Sequence, residues 1–141
     1  QFVTLFLGTL NLATGRLQYV NAGHSRPLIV RPDGSMTRLE PTGGPVGMFK
    51  EFACTGARAQ LSPGDLRPGF SDGITEATID GDHAFGRERA EAIIIEQRER
   101  HPREIMDTVF SAITDYPKGG PNSDDTTMVI LRRCREWTEP S

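Results

Sequence analysis

The sequence predicts an α+β domain built on largely antiparallel sheet, and three observations carry that prediction. Short strand-like runs separated by turn residues fill the first half of the chain. Two helical stretches follow, and a final apolar run comes near the end.

Phe2 to Leu10 is apolar at nearly every position, the pattern of a strand buried on both faces. A domain rarely opens in such a strand, so the chain reads as the C-terminal part of a larger domain. Asn11 to Gly15 reads as a hairpin loop, and Leu17 and Tyr19 alternate with Arg16 and Gln18 in the next strand. Pro27 to Val30 begins another, joined to Met36–Leu39 through the turn Pro32-Asp33-Gly34-Ser35. Pro41 to Met48 holds too much Gly and Pro for regular structure, and Phe52 to Leu61 resumes a half-exposed strand.

Arg87 to Arg100 lacks Gly and Pro and carries Ala90, Ile93 and Ile94 at helical spacing. Pro102 suits the first turn of a second helix, whose Ile105, Met106, Val109, Phe110 and Ile113 form one apolar stripe and read as core. Pro117 to Pro121 stops it, and Thr127 to Arg133 is the last strand. Residues 1–134 form the domain portion; residues 135–141, with Trp137, read as a flexible tail.

Sixteen basic against nineteen acidic side chains leave a net charge of −3, which disfavours a nucleic-acid surface. Leu5-Phe6-Leu7 is too short for a membrane span, so no membrane insertion is expected. Cys54 and Cys134 lack the spacing of a zinc site or a disulfide framework, which points to a reducing, cytoplasmic setting.

The chemistry converges on two acidic stretches. Ser71-Asp72-Gly73 leaves a carboxylate where a strand ends, and Ser123-Asp124-Asp125-Thr126-Thr127 precedes the last strand. Either aspartate alone is an ordinary turn residue. Together they fit a site for a hard divalent cation such as Mg²⁺ or Mn²⁺. Three other features have plainer readings. Asp80-Gly81-Asp82 lacks the ligand series of a calcium loop, and Thr42-Gly43-Gly44-Pro45 lacks the lysine and helix of a phosphate loop. His24 could donate a proton, but the preferred reading is a loop histidine that fixes the turn Asn21-Ala22-Gly23.

Phe2 to Phe6, Tyr19 to His24, Pro41 to Gly47, Ser71 to Ala77, Phe85-Gly86 and Ser123 to Thr127 occur in an order and spacing that resemble the SpoIIE-type branch of the metal-dependent serine/threonine protein phosphatases, the type 2C fold. The resemblance covers nearly all of Phe2 to Arg133. It implies a sandwich of two antiparallel β-sheets flanked by helices, with the N-terminal part of the domain missing. It implies a two-metal Mn²⁺ or Mg²⁺ site with Asp72 and Asp124 as catalytic metal ligands, and Gly73, Asp125 and His24 behind them. The cations would activate a water that attacks phosphorus in line, without a protein nucleophile. The implied substrate is a phosphorylated anti-sigma-factor antagonist, with an upstream sensor domain as regulatory partner. The alternative is a non-catalytic, phosphatase-like binding module in the same pathway.

Two departures bear on that choice. The family's other metal-binding acids lie upstream of the region corresponding to Phe2, so this chain is expected to be catalytically incomplete. Where the family runs an apolar strand into its Asp-Gly, this chain has Leu66-Arg67-Pro68-Gly69-Phe70. A proline and a glycine there predict a bent or bulged strand that misplaces Asp72, and three leucines in place of residues 67–69 would be expected to raise activity.

Overall fold

The computed structural model describes residues 1–71, 74, 86–115 and 126–135. Among these residues, seven strands and two helices run in the order β1 (Leu5–Leu10), β2 (Arg16–Ala22), β3 (Leu28–Val30), β4 (Met36–Arg38), β5 (Ala57–Gln60), β6 (Leu66–Phe70), α1 (Arg87–Glu96), α2 (Pro102–Asp115) and β7 (Met128–Arg132). They form two antiparallel sheets, one ordered β1-β2-β5 and the other β4-β3-β6-β7.

Local chemistry fixes the hairpins. Asn11 Oδ1 accepts the backbone N–H groups of Ala13 and Thr14, each at 3.0 Å, and closes the β1–β2 loop. Asp33 Oδ1 accepts the N–H and hydroxyl of Ser35 at 2.8 and 2.6 Å in the β3–β4 turn. Those two hydrogen bonds hold the Asp33 carboxyl below its ordinary range. At the start of α2, His101 N–H donates to Glu104 Oε2 at 3.1 Å, a capping contact ahead of Pro102.

The layers follow from side-chain parity. Leu17 and Tyr19 of β2 meet Ile29, Leu39 and Leu61 between the sheets, with Phe6 and Leu10 of β1 at the margin. On the other face of the second sheet, Leu28, Val30, Leu66 and Met128 pack on Ala90 and Ile94 of α1 and on Ile105 and Val109 of α2. Strand β3 is therefore buried on both sides, and the order of layers is sheet, sheet, helices. The α2 stripe is core, as its spacing requires.

Strand β1 departs from its sequence pattern. It is the edge of its sheet, and Leu5 and Leu7 on its outer face are exposed, as are Phe2 and Val3 before it. A continuous apolar run encodes a strand meant to be covered twice, but among the described residues only the face bearing Phe6 and Leu10 finds a partner. The strand over Phe52 to Leu61 is also shorter than its composition predicts, because Gly43 and Cys54 pair across the preceding loop.

Helix α1 is tied to the sheet by charge. Glu91 is buried; its carboxylate accepts both arms of Arg38 from β4 at 2.9 and 2.7 Å and Arg87 Nε at 2.7 Å. Burial alone would raise the Glu91 carboxyl, but the hydrogen bonds from Arg38 and Arg87 outweigh it and hold the group below its ordinary range. A carboxyl lowered on folding stabilises the fold above its unfolded pKa, and the contribution is lost as pH falls through the folded value. Glu91→Gln should therefore cost about 2 kcal/mol at neutral pH, below the cost for a fully desolvated pair because both arginines are partly solvated. It should also flatten the loss of stability below about pH 4. Urea unfolding between pH 3 and 7 checks this, and parallel curves for both proteins would refute it.

Candidate active site at one end of the paired strands

The two acidic stretches flank one β-strand pair. Strands β6 and β7 pair from Leu66↔Arg132 to Phe70↔Met128 without interruption. Beyond Phe70, Ser71 N–H donates to the Thr127 carbonyl at 2.9 Å, and Thr127 N–H donates to Ser71 Oγ at 2.9 Å. The serine hydroxyl takes the place of a ladder carbonyl, so the strands stay joined where the backbones part. Ile74, fully buried in the helix-side core, donates its N–H to the Ser71 carbonyl at 3.1 Å and anchors the exit. Asp72, Gly73, Asp124 and Asp125 lie outside the described residues, as do Asp80-Gly81-Asp82, Phe85 and Trp137. Among the described residues, no group of three His, Cys, Asp or Glu side chains could hold a metal ion.

Register explains why the proline in β6 does no harm. Because Ser71 and Thr127 form a hydrogen-bonded pair, the alternation makes Gly69↔Val129 another and leaves Pro68↔Ile130 non-hydrogen-bonded. The missing N–H of Pro68 is therefore turned from β7 toward β3, whose pairing with β6 is confined to Val30↔Leu66. The predicted bend or bulge is absent, and Pro68 is buried in a regular strand. Gly69 also has a use: a Cβ there would sit 3.0 Å from Arg67 Nη1, which lies back along the strand. Arg67 places its guanidinium 4.5 Å from the Phe6 ring centroid, and Phe6 in turn stacks on Tyr19. Burial lowers the pKa of Arg67.

The loop after β2 is fixed by Asn21 rather than by the His24 ring. Asn21 is fully buried; its Oδ1 accepts His24 N–H at 3.0 Å, and its backbone N–H donates to Thr42 Oγ1 at 2.9 Å. The imidazole Nδ1 of His24 instead lies 3.3 Å from Thr4 Oγ1. Thr42 and Gly43 both donate their N–H groups to the Asn21 carbonyl, so neither is left to cradle a phosphate. Gly23, at φ 67°, lets Pro45 close on the turn, since a Cβ would come within 2.5 Å of the proline ring. His24, Arg67 and Phe70 line one shallow recess with Arg87 and Glu91. The sequence reading passed over Glu91, and it named Asn21 only as part of a turn and Arg67 only as an interruption of an apolar strand.

The family model described as Stage II sporulation protein E (SpoIIE) matches residues 1–134. The chain belongs to the SpoIIE family. Among curated relatives it is 32% identical over 132 residues to Protein IcfG of Synechocystis, covering 94% of this chain and 21% of that protein. It is 24% identical over 133 residues to the phosphoserine phosphatase RsbU of Bacillus subtilis, covering 94% of this chain and 39% of RsbU. The SpoIIE-family chain thus spans well under half the length of these relatives. Among solved structures, the SpoIIE phosphatase domain of Bacillus subtilis superimposes with a TM-score of 0.70 at 22% identity, over 96% of this chain and 59% of that one. The RsbU and RsbW domains of a Mycobacterium tuberculosis protein give a TM-score of 0.68 at 25% identity, over 96% of this chain and 37% of that one. The fold is that of type 2C phosphatase domains, and the described sheets and helices make up part of one.

With β6 already in register, replacing Arg67-Pro68-Gly69 by three leucines should leave any phosphatase activity of the whole protein unchanged or lower it. The contacts of Arg67 with Phe6 and over Gly69 would be lost. A tenfold gain in turnover of a phosphoserine protein would show instead that the natural strand is misaligned.

Proposed function

We propose that this chain is part of a metal-dependent protein phosphatase that hydrolyses phosphoserine or phosphothreonine in a regulatory protein, an anti-sigma-factor antagonist. The observation that carries the reading is the Ser71–Thr127 pairing. Asp72 is bonded to Ser71, and Asp124 lies two residues before Thr126, so covalent reach ties both carboxylates to one end of one strand pair. Membership of the SpoIIE family and the likeness to a named phosphoserine phosphatase support the same chemistry.

Aspartate oxygens at a shared strand end suit Mn²⁺ or Mg²⁺, and Asp72 and Asp124 would hold them together with acids contributed from outside this chain. Such cations, when bound, acidify a water and offset charge on a phosphoryl group. The chain's own residues do the positioning. The Ser71–Thr127 contacts fix where the carboxylate-bearing segments leave the sheet, and the Ile74 anchor ties that exit to the core. Strand β6 runs regularly through Pro68 and Gly69 to Phe70, which weighs against a non-catalytic binding module. No described helix is long and apolar enough to cross a membrane.

Asp72→Asn in the whole protein should weaken Mn²⁺ binding at least about tenfold, the scale on which even residues behind a metal's ligands act, and should abolish turnover of a phosphoserine protein. The circular dichroism and thermal unfolding of the metal-free protein should not change. Calorimetric titration with Mn²⁺ reads the first effect, and equal affinity in the two proteins would remove Asp72 from the site.

A further inference from the structure

At the opposite end of β7 from Thr127, arginines gather, none of them ion-paired to a carboxylate among the described residues. Arg98, Arg132, Arg133 and Arg135 line one cleft of about 320 Å³, floored by Pro32 and Gly64. Strand β7 spans five residues, so this cleft lies roughly 16 Å along the sheet from the Ser71–Thr127 contact.

Three of the guanidiniums are held in place by backbone carbonyls. Arg98 donates Nε to Pro32 O at 2.8 Å and Nη1 to Ile95 O at 2.9 Å. Arg132 Nη2 donates to the carbonyls of Arg98 and Arg100. Arg133 donates Nη1 to Leu61 O at 2.7 Å and Nη2 to Ala13 O at 3.1 Å. The bonds of Arg98 and Arg132 hold their forks without cancelling their charge, while those of Arg133 turn its fork toward Leu61 and the β1–β2 loop. None of the four arginines takes part in an ion pair among the described residues, all of which engage Arg26, Arg31, Arg38 or Arg87. Burial lowers the pKa of Arg132, so keeping its charge at the cleft carries a desolvation cost. Among the described residues two acids are near: Glu99 lines the cleft, and Asp33 lies within the field of Arg98. Neither balances four cations on a chain whose net charge is −3.

We infer that this cleft is an anion-binding site for a small ligand carrying two linked phosphates. A guanidinium offers five N–H donors in a planar fork that matches phosphate oxygens, and those not used on carbonyls remain for a ligand. The cleft is at the small end of ligand sites, suited to a diphosphate moiety. Its distance from the Ser71–Thr127 end makes it separate from the proposed catalytic chemistry and independent of it.

The test is calorimetric titration of pyrophosphate, and in parallel of ADP, into the full chain at low ionic strength with EDTA present. Without divalent metal, phosphate bridging to cations at Asp72 and Asp124 cannot contribute. Stoichiometric binding is expected, weakened by added salt. Arg135→Ala, whose side chain makes no hydrogen bond or ion pair among the described residues, should weaken binding about tenfold, the loss of one charge-assisted bond. Arg132→Gln should do the same and Glu99→Gln the reverse, while Asp72→Asn should bind as wild type does. Equal affinity for both ligands would assign recognition to the phosphates alone, and tighter ADP binding would add a nucleoside contact. No binding of pyrophosphate, or binding unaltered in Arg135→Ala, would overturn the inference.

Discussion

The structure turns on a contact of two hydrogen bonds, between Ser71 and Thr127. Backbone pairing alone would end where β6 and β7 diverge; the Ser71 hydroxyl extends it by one step, accepting an N–H that the departing strand no longer can. That step is braced from the helix side. Ile74 reaches back to the Ser71 carbonyl from within the core built by Leu66, Ile94, Ile105 and Val109. Packing of the helices is thereby converted into the position of a strand end, and a metal site of the proposed kind depends on that position to a fraction of an ångström.

Much of this frame was legible in the sequence. Leu17 and Tyr19 alternate as a half-buried strand must, and the α2 stripe falls where the core needs it. The misreadings have particular causes. An unbroken apolar run such as Phe2 to Leu10 states what a strand tolerates on its faces, not which layers lie beside it. The proline in β6 was read as a defect because its cost depends on which way the absent N–H would point. That direction is set by register with β7, which sequence does not contain. Asn21 was hidden behind the more conspicuous His24, although a buried amide has the donor and acceptor that a turn requires. The Asp72 and Asp124 motifs were found through order and spacing. The described residues add the strand contact beside them.

Arginine does several distinct jobs in this acidic chain. Arg38 and Arg87 pair with Glu91 and fasten α1 to a strand, and Arg31 pairs with the buried Asp65. Arg67 rests on an aromatic face and needs no carboxylate. Arg98, Arg132 and Arg133 hold on to carbonyls and keep their charge. Net charge conceals this division. The cations that form no ion pair among the described residues collect at one end of the second sheet, while the acidic motifs follow or precede the strands at the other.

The central claim is that one strand pair delivers two carboxylates to one metal centre. A double-mutant cycle on Mn²⁺ affinity, using Asp72→Asn, Asp124→Asn and the double variant in the whole protein, tests it most directly. Ligands of a shared centre are coupled, so the double variant should lose much less affinity than the sum of the single losses, with an interaction energy of about 1 kcal/mol or more. Losses that add within about 0.3 kcal/mol would mean that the two aspartates act independently, and would contradict the account.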